Sequence, residues 1–191
     1  MEKITEVFLK YAEKIKSQEQ YFVSDVKRLE YFQENPQNKT EEDVRQKMSV
    51  LNHFQIHDLA CQEEMMRHII ELDIDDRLAA HDMQVVNEIA AFHYKGKDHK
   101  LLEFASSYCN SHHPNVYPIF SRQHEKIREQ YLELNDLLKE GDDLEDYVVF
   151  KRVVDDFTLR YDLGGVLNYY ESRQLSWLYF DKIIEELSAE N

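Results

Sequence analysis

The sequence predicts an all-α protein, a single-domain array of about six to eight helices. Three observations lead there. Apolar residues recur at spacings of three and four along most of the chain, the period of a helix with one buried face. Only four glycines and three prolines occur in 191 residues, too few for the many tight turns of a sandwich or barrel. No segment reads as a convincing strand. The length suits one domain over residues 1–191, in which residues 1–38 could form an N-terminal helical extension.

The elements follow in order. Ile4, Phe8, Tyr11 and Ile15 form one helical stripe, which Phe22, Val26 and Leu29 continue to about Glu34. Asn35-Pro36 ends it, because proline disfavours helical backbone in the residue before it. Thr40 and Asp43 resemble a capping box and open a helix from Glu41 to about Leu72, carrying Val44, Met48, Leu51, Ile56, Leu59, Met66 and Ile70. A third helix holds Val85, Ile89 and Phe92 and stops near Lys95-Gly96-Lys97. A short helix runs from Leu101 to about Asn110, ahead of the irregular stretch Ser111–Pro118. From Ile119 another helix carries Ile127, Tyr131, Leu134 and Leu138 to Gly141, placed as a residue just past a helix end. Asp142 with Glu145 starts the next, in which Tyr147, Phe150, Val154, Phe157 and Tyr161 keep a 3-4-3-4 spacing suited to a core or a second subunit. After the Gly164-Gly165 turn, Trp177, Phe180, Ile184 and Leu187 supply the core face of the last helix.

Charge narrows the functional classes. The chain carries 23 basic and 38 acidic side chains, a net of −15, and such a surface repels nucleic acid and anionic lipid on average. Only residues 94–128 reverse the sign, through Lys95, Lys97, Lys100, Arg122, Lys126 and Arg128. No stretch approaches the ~20 apolar residues of a membrane span, and the N-terminus lacks the apolar core of a signal peptide. Two cysteines, Cys61 and Cys109, are too few for a disulfide framework and read as buried thiols. These features place the chain in the cytoplasm, away from the membrane.

Motifs that carry chemistry are sparse. No glycine-rich phosphate loop, HExxH or CxxC occurs, so no cofactor is expected. His53, His57 and Cys61 lie four apart and would share a helix face, which is the one metal-like spacing; a polar, partly buried histidine face accounts for it more simply. The pairs Asp75-Asp76, Asp142-Asp143 and Asp155-Asp156 suit solvated faces, and Asp142-Asp143 also suits a helix N-terminus. Ser121 and His124 could approach one another beside His112 and His113, yet no orienting acid is identifiable. No catalytic residue is therefore assigned. The basic stretch interleaves its charges with Phe104, Tyr108, Tyr117 and Phe120. That mixture suits nucleic acid, with Lys95, Lys97, Lys100, Arg122 and Lys126 on phosphate and Tyr108 or Tyr117 stacked on a base. A rigid interhelical corner, whose aromatics fill the core while its lysines are solvated, accounts for it more simply.

The same segment, FASSYCNSHHPNVYPIF with the preceding KGKDHKLLE, resembles a family of uncharacterised bacterial proteins. That family's stretch runs Phe-Ala-Ser-Lys-Tyr-Cys, then His-x-Pro, then Tyr-Pro-Ile-Tyr-Asp. Tyr147–Phe157 and the Trp177 helix look like its C-terminal portion, so the resemblance covers roughly Val85 to Phe180. Its Pro-Ile-Tyr-Asp end is loosely similar to the segment bearing the catalytic aspartate of helix-hairpin-helix DNA glycosylases. Here Ser121 takes the aspartate position, and no glycine lies between Gly96 and Gly141 to form the DNA-binding hairpin. The resemblance therefore implies a non-catalytic relative. Two functions remain in view: a non-enzymatic helical module with a protein partner, and a nucleic-acid-binding, degenerate glycosylase-like protein using residues 94–128.

Overall fold

The computed structural model describes residues 2–17, 23–51, 59–121 and 137–188. These residues form nine helices and one β-hairpin: α1 (Glu2–Ser17), α2 (Val23–Glu34), α3 (Glu41–Leu51), α4 (Leu59–Glu71), α5 (Asp75–Ala79), α6 (Gln84–Ala90), β1 (Ala91–Tyr94), β2 (Lys97–Lys100), α7 (Leu102–His112), α8 (Tyr147–Arg160) and α9 (Tyr169–Ser188). No described helix is long and apolar enough to cross a membrane.

Helix α7 is the hub. Ten of its eleven residues are buried, so it has no solvent face, and its small Ala105, Ser106, Ser107 and Ser111 let neighbouring elements approach closely. Around it Phe32 of α2, Val44 of α3, Met65 and Ile69 of α4, Val85 and Ile89 of α6, and Tyr147 and Phe150 of α8 close one core. A second core joins Phe8, Ala12 and Ile15 of α1 to Leu175, Phe180 and Ile183 of α9, with Tyr161 and Leu163 between. Residues 1–38 thus divide, with α1 packed on α9 and α2 on α7 and α3.

Local chemistry explains several boundaries. Thr40 and Asp43 form a reciprocal box: the Thr40 N–H donates to Asp43 Oδ2 at 3.0 Å, and the Asp43 N–H to Thr40 Oγ1 at 3.2 Å. Helix α8 begins later than Asp142 because Asp146 is its cap, its side chain accepting the Val148 N–H at 2.9 Å. Asp142 instead ties a turn, accepting the Lys139 N–H at 2.7 Å while Arg152 grips the same carboxylate. Gly141, at φ +86°, serves that turn rather than a helix end, since residues 137–139 are not helical. Residues 119–121 are not helical either, so no helix starts at Ile119. Ile127, Tyr131 and Leu134 lie outside the described residues.

The hairpin corrects the expectation of a helix through Phe92. Helix α6 stops at Ala90, and Ala91–Tyr94 pairs antiparallel with Lys97–Lys100. Lys95 and Gly96 at the turn both have positive φ, 49° and 74°, the mirror-image turn whose twist suits a two-residue hairpin. Phe92 still reaches the core, because alternate strand residues face one side and its ring lies 5.8 Å from His68. The last helix keeps most of its expected face, with Phe180 buried and Ile184 and Leu187 packed partly buried against the second core, while Trp177 departs from it and is 63% exposed.

Candidate functional site

The aromatics expected to stack on a base lie inside the protein. Tyr108 and Tyr117 both have zero exposure, and their hydroxyls serve the fold. The Tyr108 O–H donates to Asn38 Oδ1 at 2.5 Å and the Tyr117 O–H to the Asp82 carbonyl at 3.4 Å. Burial pushes both phenols above their ordinary range. Neither ring presents a face to solvent, so stacking by Tyr108 or Tyr117 has no surface to act from here. Phe104 and Phe120 are buried with them. The segment is the interhelical corner, pinned where the Phe120 N–H donates to Ser106 Oγ at 3.0 Å and Asn110 Nδ2 to the Tyr117 carbonyl at 2.7 Å.

The basic side chains fare differently. Lys95, Lys97 and Lys100 are exposed on the hairpin, Lys95 lying over the Tyr94 ring and Lys100 3.6 Å from Glu145. His93 and Asp98 meet at 2.7 Å on the same ribbon. Arg122 and Lys126, expected to complete the patch, lie outside the described residues, as does His124.

Of the metal-like spacing, His53 and His57 lie outside the described residues, and Cys61 is half-buried on α4 against the main core. Cys109 is fully buried, which pushes its thiol up and keeps it from ionising. Among the described residues no group of three histidine, cysteine or acidic side chains is arranged to hold a metal ion. The acidic pairs are structural where they are engaged. Asp75 accepts from the Asn38 N–H and Nδ2, Asp155 from Lys151 and Tyr169, and Asp156 from Arg152.

Phe8, Phe150, Phe157 and Phe180 are expected from sequence as helix-face residues, but the apolar groove they line between α8 and α9 is not. It has a volume of about 120 Å³ and is floored by Phe8, Phe150, Val153, Phe157, Leu175 and Phe180. Ser172, Arg173 and Ser176 stand along its α9 side. The 3-4-3-4 stripe of α8 therefore faces its own chain: Tyr147, Phe150 and Tyr161 are buried, with Val154 and Phe157 partly so. Trp177, 63% exposed, follows Ser176 of that side by one residue and is not itself part of the groove lining. Leu159, 82% exposed, follows Thr158 of the opposite wall. An exposed tryptophan is the one signal that could mark this place, and its position in an apolar stripe hides it.

Comparison with known proteins places the chain. Residues 7–116 match the family model HI_0787_N, described as an N-terminal domain. An uncharacterised protein of Haemophilus influenzae is 31% identical over 108 residues, covering 56% of this chain and 51% of the relative. The chain thus spans about half the length of that relative. No solved structure matches. The resemblance to an uncharacterised bacterial family stands at this level, although the matched residues begin at Val7 rather than Val85 and overlap the expected span only over 85–116. Nothing in the match bears on the likeness to glycosylases. With more than half of its residues matched, the chain belongs to the HI_0787_N N-terminal-domain family.

Proposed function

We propose that the chain is a non-enzymatic helical interaction module that docks an apolar segment of a partner protein along the α8–α9 groove. The observation that carries this reading is an exposed tryptophan, Trp177, on the same helix, α9, that walls an apolar groove. Tryptophan offers a large, stiff contact surface and dominates binding energy where partners bury it, and a groove between helices suits an amphipathic helix. The net charge of −15 favours basic flanks on that segment, through faster encounter more than through tighter contact.

Trp177 is the chain's one tryptophan, so its emission reports on that helix. An amphipathic Leu/Lys helical peptide is expected to shift that emission to the blue, with the shift lost when Ser176→Phe fills the groove mouth. A Leu/Glu peptide of the same pattern is expected to leave it in place. Unchanged emission with both peptides, or equal shifts with both, contradicts the reading.

A second reading, a catalytically degenerate nucleic-acid-binding protein, draws support from the three exposed lysines that the hairpin gathers. It predicts binding of DNA whose log affinity falls with log salt, with Lys97→Ala reducing the slope by about 1 if that side chain meets one phosphate. Salt-independent binding, or none at low salt, removes it.

A further inference from the structure

The groove between α8 and α9 is lined by a single charge. Arg173 stands on its α9 side, and no aspartate, glutamate, lysine or histidine is among the lining residues. The floor beneath is four phenylalanines with Val153 and Leu175. We propose that this groove binds a small carboxylic acid with an apolar body, the carboxylate paired with the Arg173 guanidinium and accepting from the Ser172 hydroxyl. The acid is a ligand in its own right, independent of any docked segment, and the two would compete for the same floor.

The unpaired state of Arg173 selects the charge. Arg28, Arg45, Arg67, Arg77 and Arg152 each pair with a carboxylate of this chain. Arg173 is half-buried, yet it makes no ion pair or hydrogen bond among the described residues. Its nitrogens are also reachable: Arg28 Nε and Nη2 are shut inside without partners, and no nitrogen of Arg173 is. The neighbouring Arg28 stands 3.8 Å from Asp25. Burial lowers the Arg28 guanidinium, and the charge of Arg173 adds to that lowering, so Arg173 meets a second cation here. A cation entering the groove would find no acid in its lining, whereas a carboxylate would find a guanidinium that nothing else holds.

The hydroxyls narrow the donor set. Thr158 Oγ1 donates to the Val154 carbonyl at 2.7 Å, Ser176 Oγ to the Ser172 carbonyl at 3.1 Å, and the Tyr169 O–H to Asp155. The Ser172 hydroxyl has no hydrogen bond among the described residues, and it precedes Arg173 by one position in the same wall. A carboxylate accepts only, and a guanidinium with a hydroxyl beside it supplies the donors it needs. Volume sets the apolar body. The groove holds about 120 Å³, and an apolar cavity of roughly 150 Å³ holds one benzene ring, so a single phenyl ring suits a groove that is open along one side.

The test uses 3-phenylpropionate as probe, 2-phenylethylammonium as its cationic counterpart and 3-phenyl-1-propanol as its uncharged one. Calorimetry is expected to show saturable binding of the acid and none of the amine. Arg173→Gln should weaken the acid about tenfold, while Arg160→Gln, which removes the same charge from an exposed position of α8, should leave it unchanged. The alcohol is expected to bind more weakly than the acid, and equally to the parent and to Arg173→Gln, because it has no charge to pair. Nuclear Overhauser contacts on the unaltered protein are expected from the ring protons of the acid to the methyls of Val153, Val154 and Leu163. Equal losses in Arg173→Gln and Arg160→Gln would reduce the effect to general attraction by positive charge and overturn the site. Equal losses of acid and alcohol on Arg173→Gln would assign that residue to packing and overturn the pairing. Absence of acid binding, binding of the amine at comparable strength, or contacts instead to Leu78 and Val116 of the cavity between α2 and α5 would each overturn it too.

Discussion

Asn38 shows how one side chain can join distant parts of the fold. It is 2% exposed; its backbone and side-chain amides donate to Asp75, and its carbonyl accepts the buried Tyr108 hydroxyl. Asn38→Ala should destabilise the protein by about 2–3 kcal/mol, because it strands the buried Tyr108 phenol and loses the side-chain bond to Asp75, whereas Tyr108→Phe leaves only the Asn38 Oδ1 acceptor without its donor and should cost about 1 kcal/mol. Urea titration distinguishes the two, and equal losses would contradict this assignment. Asn38 was not legible in the sequence, where it sits in a polar loop after a proline and nothing local marks its partners. Trp177 was misread for the opposite reason. Helix α9 carries apolar residues nearly all round, among them Leu175, Trp177, Leu178, Phe180 and Ile183, so more than one stripe fits the period and tertiary packing chooses between them.

At the scale of elements, the sequence marked helices where a cap or breaker accompanied the period. The Thr40–Asp43 box and the Asn35-Pro36 stop are both in the structure, because each acts through the residues beside it. The hairpin was hidden because Val85, Ile89 and Phe92 also fit a helix, and the four-residue strands are too short to show alternation. Helices α5 and α6 are joined by contacts no local pattern reveals. Arg77 donates to both oxygens of Glu88, at 2.5 and 2.7 Å, and to Asp82 at 2.9 Å. The Arg77 hydrogen bonds hold the Glu88 carboxyl below its usual range. Its stabilisation is therefore present above the ordinary carboxylate pKa and lost as pH falls through the lowered folded value. Arg77→Met should lower stability by about 1–2 kcal/mol at neutral pH, and its gap from the parent should close below roughly pH 4. A gap that persists in acid would assign the effect to packing of the arginine stem instead.

At the scale of the whole molecule, two cores meet along α8, which gives Tyr147 and Phe150 to one and partly covered Phe157 to the other. The family match covers most of the α7-centred core and ends before α8. The groove and Trp177 thus lie on the part of the chain beyond the matched residues. All-helical character was readable because composition and period act over the full length. The groove was not, because it forms between α8 and α9 and exists only once α1 has placed Phe8 in its floor. The most direct test of the proposed docking surface is photo-crosslinking in cells, with p-benzoylphenylalanine at position 177, on the hairpin at 97, or at the exposed position 16 of α1. The account predicts a discrete protein adduct from position 177, absent from position 16 and lost when Ser176→Phe is added. Adducts from 177 no different from those at 16, or a nucleic-acid adduct from 97 with none from 177, would contradict it.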